Sequence, residues 1–159
     1  MTDAELRLRP MTRAEFDEWL PRQLAGYAAL IASSGALPPQ AAREKAEQDT
    51  ARAFSGGFRT PGQHLFRIMD GEVAVGWLWL GVPGPEPDPL MAWVYEIEID
   101  AAFRGRGYGR AGMRLAEGEA RSRGMTSLGL NVHGQNKVAR ALYESLGYEV
   151  MTQQMKKPV

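Results

Sequence analysis

The chain has no cysteine and only two histidines. Without thiols, a disulfide scaffold, an iron–sulfur cluster, a thiolate zinc site and a cysteine nucleophile are all excluded. The two histidines, His64 and His133, lie far apart in the sequence and have no acidic residue at ligand spacing, so we expect no metal site. Redox chemistry by the protein's own side chains is excluded as well.

An excess of charge and a long hydrophobic run are also missing. Lys and Arg together number 19, as do Asp and Glu, so no overall field would attract nucleic acid or an anionic membrane. The longest apolar run, Val73 to Val82, is about half as long as a membrane span. The segment Met1 to Glu5 lacks the basic and apolar residues of a signal peptide. We therefore expect a cytoplasmic protein with no nucleic-acid or membrane partner.

The length and composition are those of one ordinary domain. The 159 residues are 44% hydrophobic and 24% charged, and a chain of this length can bury a core without disulfides or metals. No repeat and no linker interrupts it, so we expect a single domain over residues 1–159.

Hydrophobic periodicity and turn signals predict a mixed α/β fold. A strand at Leu6 and Leu8 precedes a helix that a capping box, Thr12 with Glu15, opens and that Pro21 should kink or split. Gln40 to Phe54 predicts a second helix. The later elements are strands at His64–Met69 and Glu72–Val82 joined by Asp70-Gly71, a strand at Met91–Asp100, a helix at Gly107–Arg123, a strand at Ser127–Val132, a helix at Asn136–Leu146 and a strand at Glu149–Met155. Antiparallel strands come first and a βαβα unit comes last.

The most informative segment is Phe103 to Gly112, FRGRGYGRAG, between a predicted strand and a predicted helix. Its glycines leave backbone N–H groups unshielded where the helix begins, and such a helix end binds anions. Six arginines face only two glutamates from Arg104 to Arg123. The local charge therefore favours a phosphate-bearing ligand, with a plain glycine-rich turn as the alternative.

Two phosphate chemistries fit this loop. Gly107, Gly109 and Gly112 match the G-x-G-x-x-G pattern of dinucleotide-binding proteins. The acidic residue expected about 20 positions later is missing, because Leu130 to His133 reads LNVH, and the loop does not follow the first strand of the chain. A nucleotide-dependent oxidoreductase is therefore the weaker enzymatic alternative.

A second family fits the same residues better. Arg104, Gly107 and Gly109 match the R/Q-x-x-G-x-G/A signature of the GCN5-related N-acetyltransferases (GNAT), and the strand YEIEID and the segment NVHGQNKVARALYESLGYEV also resemble that family. The resemblance covers most of the chain. It implies a central mixed, mostly antiparallel sheet with splayed middle strands, flanked by about four helices.

The resemblance also implies where acetyl-CoA binds. The cosubstrate would lie between the Met91–Asp100 and Ser127–Val132 strands. Its pantetheine arm would contact the backbone of Ile97 and Ile99 as an added strand would. Asn136 is predicted to cap the last helix, and the resemblance adds a cofactor contact. The pyrophosphate would lie on the N–H groups of Arg104, Gly105, Arg106, Gly107, Tyr108 and Gly109.

The resemblance assigns Tyr143 as the acid that protonates the departing coenzyme A thiolate, a role that a neutral phenol can fill. The alternative is a core tyrosine on an amphipathic helix. Glu96 and Glu98 are the candidate bases, since both should point to one face of a strand while Tyr95, Ile97 and Ile99 point to the other. Glu96 lies deeper in the strand and is preferred. A salt bridge to an arginine would explain either carboxylate, and His133 or water could also act as the base.

These assignments predict an N-acetyltransferase that moves the acetyl group to an amine by direct attack, since no cysteine can carry it. The alternatives are the oxidoreductase and a non-catalytic acyl-CoA-binding module. The acceptor is a small-molecule or peptide amine that the sequence does not identify further. Oligomeric state stays open, with a homodimer as one option.

Overall fold

The structure is a computed structural model and describes residues 6–159. Met1 to Glu5, on which the expected absence of a signal peptide rests, lies outside the described residues. Within them no helix combines the length and the apolar character that a membrane crossing requires. The helices and strands are β1 Leu6–Pro10, α1 Arg13–Ser33, α2 Pro39–Ala53, β2 Gln63–Asp70, β3 Val73–Gly81, β4 Met91–Ile99, α3 Tyr108–Ser122, β5 Ser127–Leu130 and α4 Lys137–Ser145.

The strands form one sheet in the order β1-β2-β3-β4-β5. The β1–β2, β2–β3 and β3–β4 pairs are all antiparallel, so the predicted mixed α/β class with a mostly antiparallel sheet is confirmed. The predicted β2–β3 hairpin is present, but its turn is one residue further along. Asp70 still pairs with Val73, which leaves Gly71 and Glu72 as the turn, with Gly71 at φ +55°.

Helix α1 begins at the predicted capping box. The Thr12 hydroxyl accepts from the Glu15 N–H at 3.2 Å, and the Glu15 carboxylate accepts from the Thr12 N–H at 2.8 Å. Of the kink or split predicted at Pro21, the split is wrong, because α1 continues through Pro21 to Ser33, and the kink stays a prediction. Proline removes one intrahelical hydrogen bond, but buried residues on both sides, Trp19 and Ile31 among them, hold the two halves of the helix to the fold.

The sheet buries apolar side chains on two faces. One face carries an aromatic cluster in which α1 packs on β2 and β3, composed of Met11, Phe16, Trp19, Phe54, Leu65, Trp77 and Trp79. On the other face α3 packs so closely that a Cβ at Gly112 would lie 2.9 Å from Ile97 Cδ1 and 3.1 Å from Ile68 Cδ1. Strand β4 therefore lies under α1 on one side and under α3 on the other.

The chain divides into two compact units, one through Gly129 and one from Leu130 to Val159. The second contains α4, after which Gly147 takes φ +93° and the Tyr148 N–H donates to the Tyr143 carbonyl at 3.0 Å. The strand predicted at Glu149–Met155 is wrong, since these residues form no strand. Their apolar residues do not alternate: Val150 and Met151 are adjacent and would point to opposite faces of a sheet. The single domain and the splay between β4 and β5 stay predictions.

Candidate functional site

Residues 100–107, which we call the glycine–arginine loop, connect β4 to α3, as predicted. A short 3₁₀ turn at Ala101–Phe103 follows the strand, and α3 begins at Tyr108. Gly105 and Gly107 have φ of +73° and +85°, and Gly107, the N-cap, makes no capping hydrogen bond because it has no side chain. The first turn of α3 therefore presents N–H groups without intrahelical partners at the positive end of the helix dipole.

Arg104 is anchored by its own side chain. Its Nε donates to the Ile99 carbonyl at 2.9 Å, and its Nη2 lies 3.6 Å from Glu98 Oε1. The side chain is still 61% exposed, as is suitable for binding an anion. Arg106 is exposed too, with its guanidinium 5.8 Å from the centre of the Phe103 ring. Both arginines leave positive charge at the helix end.

Tyr108 anchors the start of α3. It is 8% exposed, its hydroxyl donates to the Asp70 carboxylate, and its ring meets Phe103 edge-on at 6.2 Å. Its side chain is therefore part of the fold. Of Tyr108, only the backbone N–H group remains as a contact for a ligand.

A β-bulge decides which side chains of β4 share a face. Trp79 pairs with Glu96 but Leu80 pairs with Val94, so Tyr95 is the extra residue. The expectation that Tyr95 shares a face with Ile97 is wrong. Its ring stacks on Trp79 at 4.5 Å, on the face of Glu96, whereas Ile97 faces α3.

The carboxyl of Glu96 has a pKa well above the ordinary value of a glutamate. Burial, followed by the negative charge of Glu98, raises its pKa to about 7. A hydrogen bond from Trp19 Nε1 to Glu96 Oε2 at 3.0 Å acts in the opposite direction, as does the charge of Arg22. A carboxylate with a pKa near neutrality can accept a proton at physiological pH.

Glu98 has a different environment. It lies 3.6 Å from Arg104 and 3.9 Å from Arg22, with 36% of its side chain exposed. The salt-bridge interpretation therefore describes Glu98, which favours Glu96 as the base. Sequence reasoning assigned no role to Arg22 or Trp19, because their contacts with β4 join residues more than 70 positions apart.

The remaining predicted site residues lie in the second unit. Asn136 caps α4, with Oδ1 accepting from the Ala139 N–H at 3.2 Å, so its capping role is confirmed. Tyr143 is half-buried, burial raises its pKa, and its ring lies 6.0 Å from that of Tyr148. The carbonyl of His133 accepts from the Asn136 N–H at 2.9 Å. His133 thus serves at least as a turn residue before α4.

Comparison with known proteins points to one family. A family model described as the acetyltransferase (GNAT) family matches residues 18–148. Two curated relatives from Bacillus subtilis (strain 168) are uncharacterized N-acetyltransferases: YycN is 30% identical, covering 91% of this chain and 92% of the relative, and YdgE is 28% identical, covering 94% and 96%.

Solved structures agree with that match. The crystal structure of YycN from Bacillus subtilis superposes with a TM-score of 0.89 at 29% identity, covering 97% of this chain and 98% of that one. AAC(6')-Iy in complex with a bisubstrate analog of CoA superposes with a TM-score of 0.61 at 16% identity, covering 97% of each chain. That second likeness shows a shared fold.

Proposed function

This chain belongs to the acetyltransferase (GNAT) family of acetyl-CoA-dependent acyltransferases, and from that premise we propose that it transfers an acetyl group to an amine by direct attack, with Glu96 as the base. The observation that carries the proposal is the environment of Glu96. This partly buried carboxylate on β4 has a pKa of about 7, and β4 leads into the glycine–arginine loop.

The loop has the features that acetyl-CoA needs. A diphosphate is recognised by N–H groups at a helix N-terminus and by nearby guanidinium groups. A Cβ added at Gly105 would meet open space, with no other atom within 4 Å, so a ligand can approach the backbone closely there. The residues that would bind the diphosphate are Arg104, Gly105, Arg106, Gly107, Tyr108 and Gly109.

The backbone of β4 would bind the amide-bearing arm, with Ile97 and Ile99 as the contacts. The Ile99 carbonyl already accepts from Arg104, and a carbonyl oxygen has a second lone pair for another donor. Asn136 is proposed to contact the cosubstrate in addition to capping α4. Acetyl-CoA supplies an activated acetyl group as a thioester.

The proton balance of the transfer assigns two acid–base roles. An aliphatic amine is protonated at neutral pH and must lose a proton before its nitrogen attacks the acetyl carbonyl. Glu96 accepts that proton, and the neutral nitrogen then attacks, so that the C–N bond forms and the C–S bond breaks. The nitrogen loses a second proton on becoming an amide, and this proton replaces the one that Tyr143 donates. Tyr143 donates a proton to the departing thiolate, and its raised pKa keeps the phenol protonated until then.

The test is release of coenzyme A thiol from acetyl-CoA in the presence of a panel of amines that includes peptide N-termini, lysine, polyamines and aminoglycosides. Glu96→Gln should lower kcat by about 10²–10⁴, the typical loss when a general base is removed. Glu98→Gln is the matched control, because it removes a carboxylate two residues away, and most of the activity should remain.

Tyr143→Phe should lower kcat by a similar factor while leaving acetyl-CoA affinity unchanged, since only the hydroxyl is lost. Full activity of both the Glu96 and Tyr143 variants would contradict the assigned roles. Binding of acetyl-CoA without thiol release for any amine would instead identify a non-catalytic acyl-CoA-binding module.

A further inference from the structure

The indole of Trp19 makes the hydrogen bond that reaches Glu96 from α1. Trp19 is 1% exposed, and its Nε1 lies 3.0 Å from Glu96 Oε2. Two neighbours hold the ring edge-on, Phe54 at 6.0 Å and Trp79 at 5.7 Å between centroids. A side chain packed in this way cannot turn its N–H elsewhere without disrupting the aromatic cluster.

This contact restrains one oxygen of the carboxylate and leaves the other available. An indole N–H can only donate, so it binds the ionised carboxylate more strongly than the neutral acid. Within the described part of the chain, Glu96 Oε1 receives no hydrogen bond. The carboxylate is therefore oriented through Oε2, while Oε1 keeps its lone pairs for a proton.

Among the other groups around Glu96, one opposes its ionisation and another favours it. On its own strand Glu98 disfavours ionisation, and from α1 the guanidinium of Arg22 favours it. Arg22 and Arg104 also offset the charge of Glu98. Trp19 is the group that contacts Glu96 directly, because its hydrogen bond is the one that Glu96 makes among the described residues.

We propose that Trp19 is a positioning residue for acetyl transfer: its N–H orients the Glu96 carboxylate and holds it in the ionised form that accepts a proton from the amine. The inference rests on the proposed function, since it assigns how the proposed base is held ready. Helix α1 thereby contributes to the chemistry through one hydrogen bond.

The experiment compares Trp19→Phe with Trp79→Phe. Both replace a buried indole of the same aromatic cluster with a phenyl ring, but Trp79 Nε1 donates to Gln63 Oε1 at 2.6 Å and not to Glu96. For Trp19→Phe we expect the acidic limb of the kcat/KM profile, the rise with pH that reports the base, to move to higher pH by about one unit. For Trp79→Phe its midpoint should stay at the wild-type value, because the phenyl ring still packs against the Trp19 indole.

A ¹³C NMR titration of the Glu96 carboxyl, assigned with Glu96→Gln, measures the same shift without any activity. An unchanged carboxyl midpoint in folded Trp19→Phe would overturn the role of Trp19 alone. Full activity of Glu96→Gln would overturn the proposed base and this role with it. The two failures are therefore distinguishable.

If Trp19→Phe does not fold, the wild-type protein still tests the proposal. The ¹H–¹⁵N resonance of the Trp19 indole should titrate with the same midpoint as the Glu96 carboxyl, and this titration should vanish in Glu96→Gln. An indole resonance that does not respond between pH 5 and 9, about two units on either side of the Glu96 pKa of about 7, would overturn the proposal.

Discussion

Glu15 and Glu96 have pKa values on opposite sides of the ordinary glutamate value of 4.5. The physical reasons are different for the two residues. The Arg9 guanidinium hydrogen-bonds Glu15, and together with the Thr12 N–H it lowers the pKa of Glu15 to about 2. Glu96 has a single neutral donor and is largely removed from water, so its pKa rises to about 7. Residue type alone therefore does not determine charge at neutral pH.

The interactions of Glu15 predict that the stability of the fold depends on pH. Since the pKa of Glu15 is lowered from 4.5 to about 2, its contribution is fully present above pH 4.5 and is lost as the pH falls through 2. Glu15→Gln keeps an oxygen that can accept from the Thr12 N–H but loses the charge that pairs with Arg9. It should lower the free energy of unfolding by about 1 kcal/mol at pH 7, because partial exposure of the pair limits a larger effect. Urea denaturation at pH 7 and near pH 2 measures the difference.

The control for Glu15→Gln is Asp17→Asn. Asp17 pairs with Arg13 on an exposed face, with 57% and 70% of their side chains exposed, and such pairs contribute little. A cost for Asp17→Asn as large as that for Glu15→Gln would show that negative charge near the start of α1, rather than the Arg9 and Thr12 contacts, is responsible.

At this scale the sequence predicted the contacts that are local. The Thr12–Glu15 capping box and the Asn136 cap each join residues three apart, so their spacing is visible in the sequence. The partner of Glu96 could not be predicted, because Trp19 is 77 residues away. Only the packing of α1 on the sheet brings the two together.

At the scale of elements, strand β4 shows what periodicity can and cannot predict. Alternation correctly placed Glu96 and Glu98 on one face, since they pair with Trp79 and Trp77. It failed at Tyr95, because one extra residue in the strand shifts every side chain before it to the other face. A bulge has no signature in the local sequence here.

Packing between β3 and β4 also predicts a large effect of a small substitution. A Cβ at Gly76 would overlap the backbone carbonyl oxygen of Glu98 and lie 3.0 Å from Ile99 Cδ1. Since a backbone carbonyl cannot rotate away as a flexible side chain can, Gly76→Ala should cost about 1–3 kcal/mol or more. Thermal unfolding should show a melting temperature lower by several degrees.

Gly118→Ala is the control for the same added methyl group. Nothing lies within 4 Å of a Cβ at Gly118, which is inside α3. Alanine is the better helix former by about 1 kcal/mol, so this variant should be neutral or more stable. Equal destabilisation by the two substitutions would contradict the close approach of β3 to β4.

For the molecule as a whole, the succession of residues along the chain predicted more of the fold than the composition did. The chain is neutral overall, yet its glycines and arginines concentrate positive charge and open N–H groups at the start of α3. The succession of strand, glycine loop and helix was predictable because each boundary has a local signal. The C-terminal segment was not, since its few apolar residues do not alternate, and pairing with a neighbouring strand has no local signal in the sequence.

The last prediction concerns binding of the cosubstrate to the folded chain. A ligand that binds only the native state stabilises it by about 2.7 kcal/mol at about 100 times its dissociation constant. Acetyl-CoA should therefore raise the melting temperature by about 5–10 °C, given about 2–4 °C per kcal/mol for a chain of this size. NADH should not raise it, because the acidic residue that a dinucleotide site needs for the ribose is missing near Leu130 to His133.

Two tryptophan substitutions in α3 locate the site of that stabilisation. Gly109→Trp places a large side chain in the first turn of α3, where the diphosphate is proposed to bind, and should abolish the shift with acetyl-CoA. Gly118→Trp places the same side chain in open space further along the helix and should keep the shift. Both proteins should unfold cooperatively without ligand, which separates loss of binding from loss of fold. An undiminished shift in folded Gly109→Trp would mean that the phosphates bind elsewhere, and a shift with NADH instead of acetyl-CoA would contradict the acetyltransferase assignment.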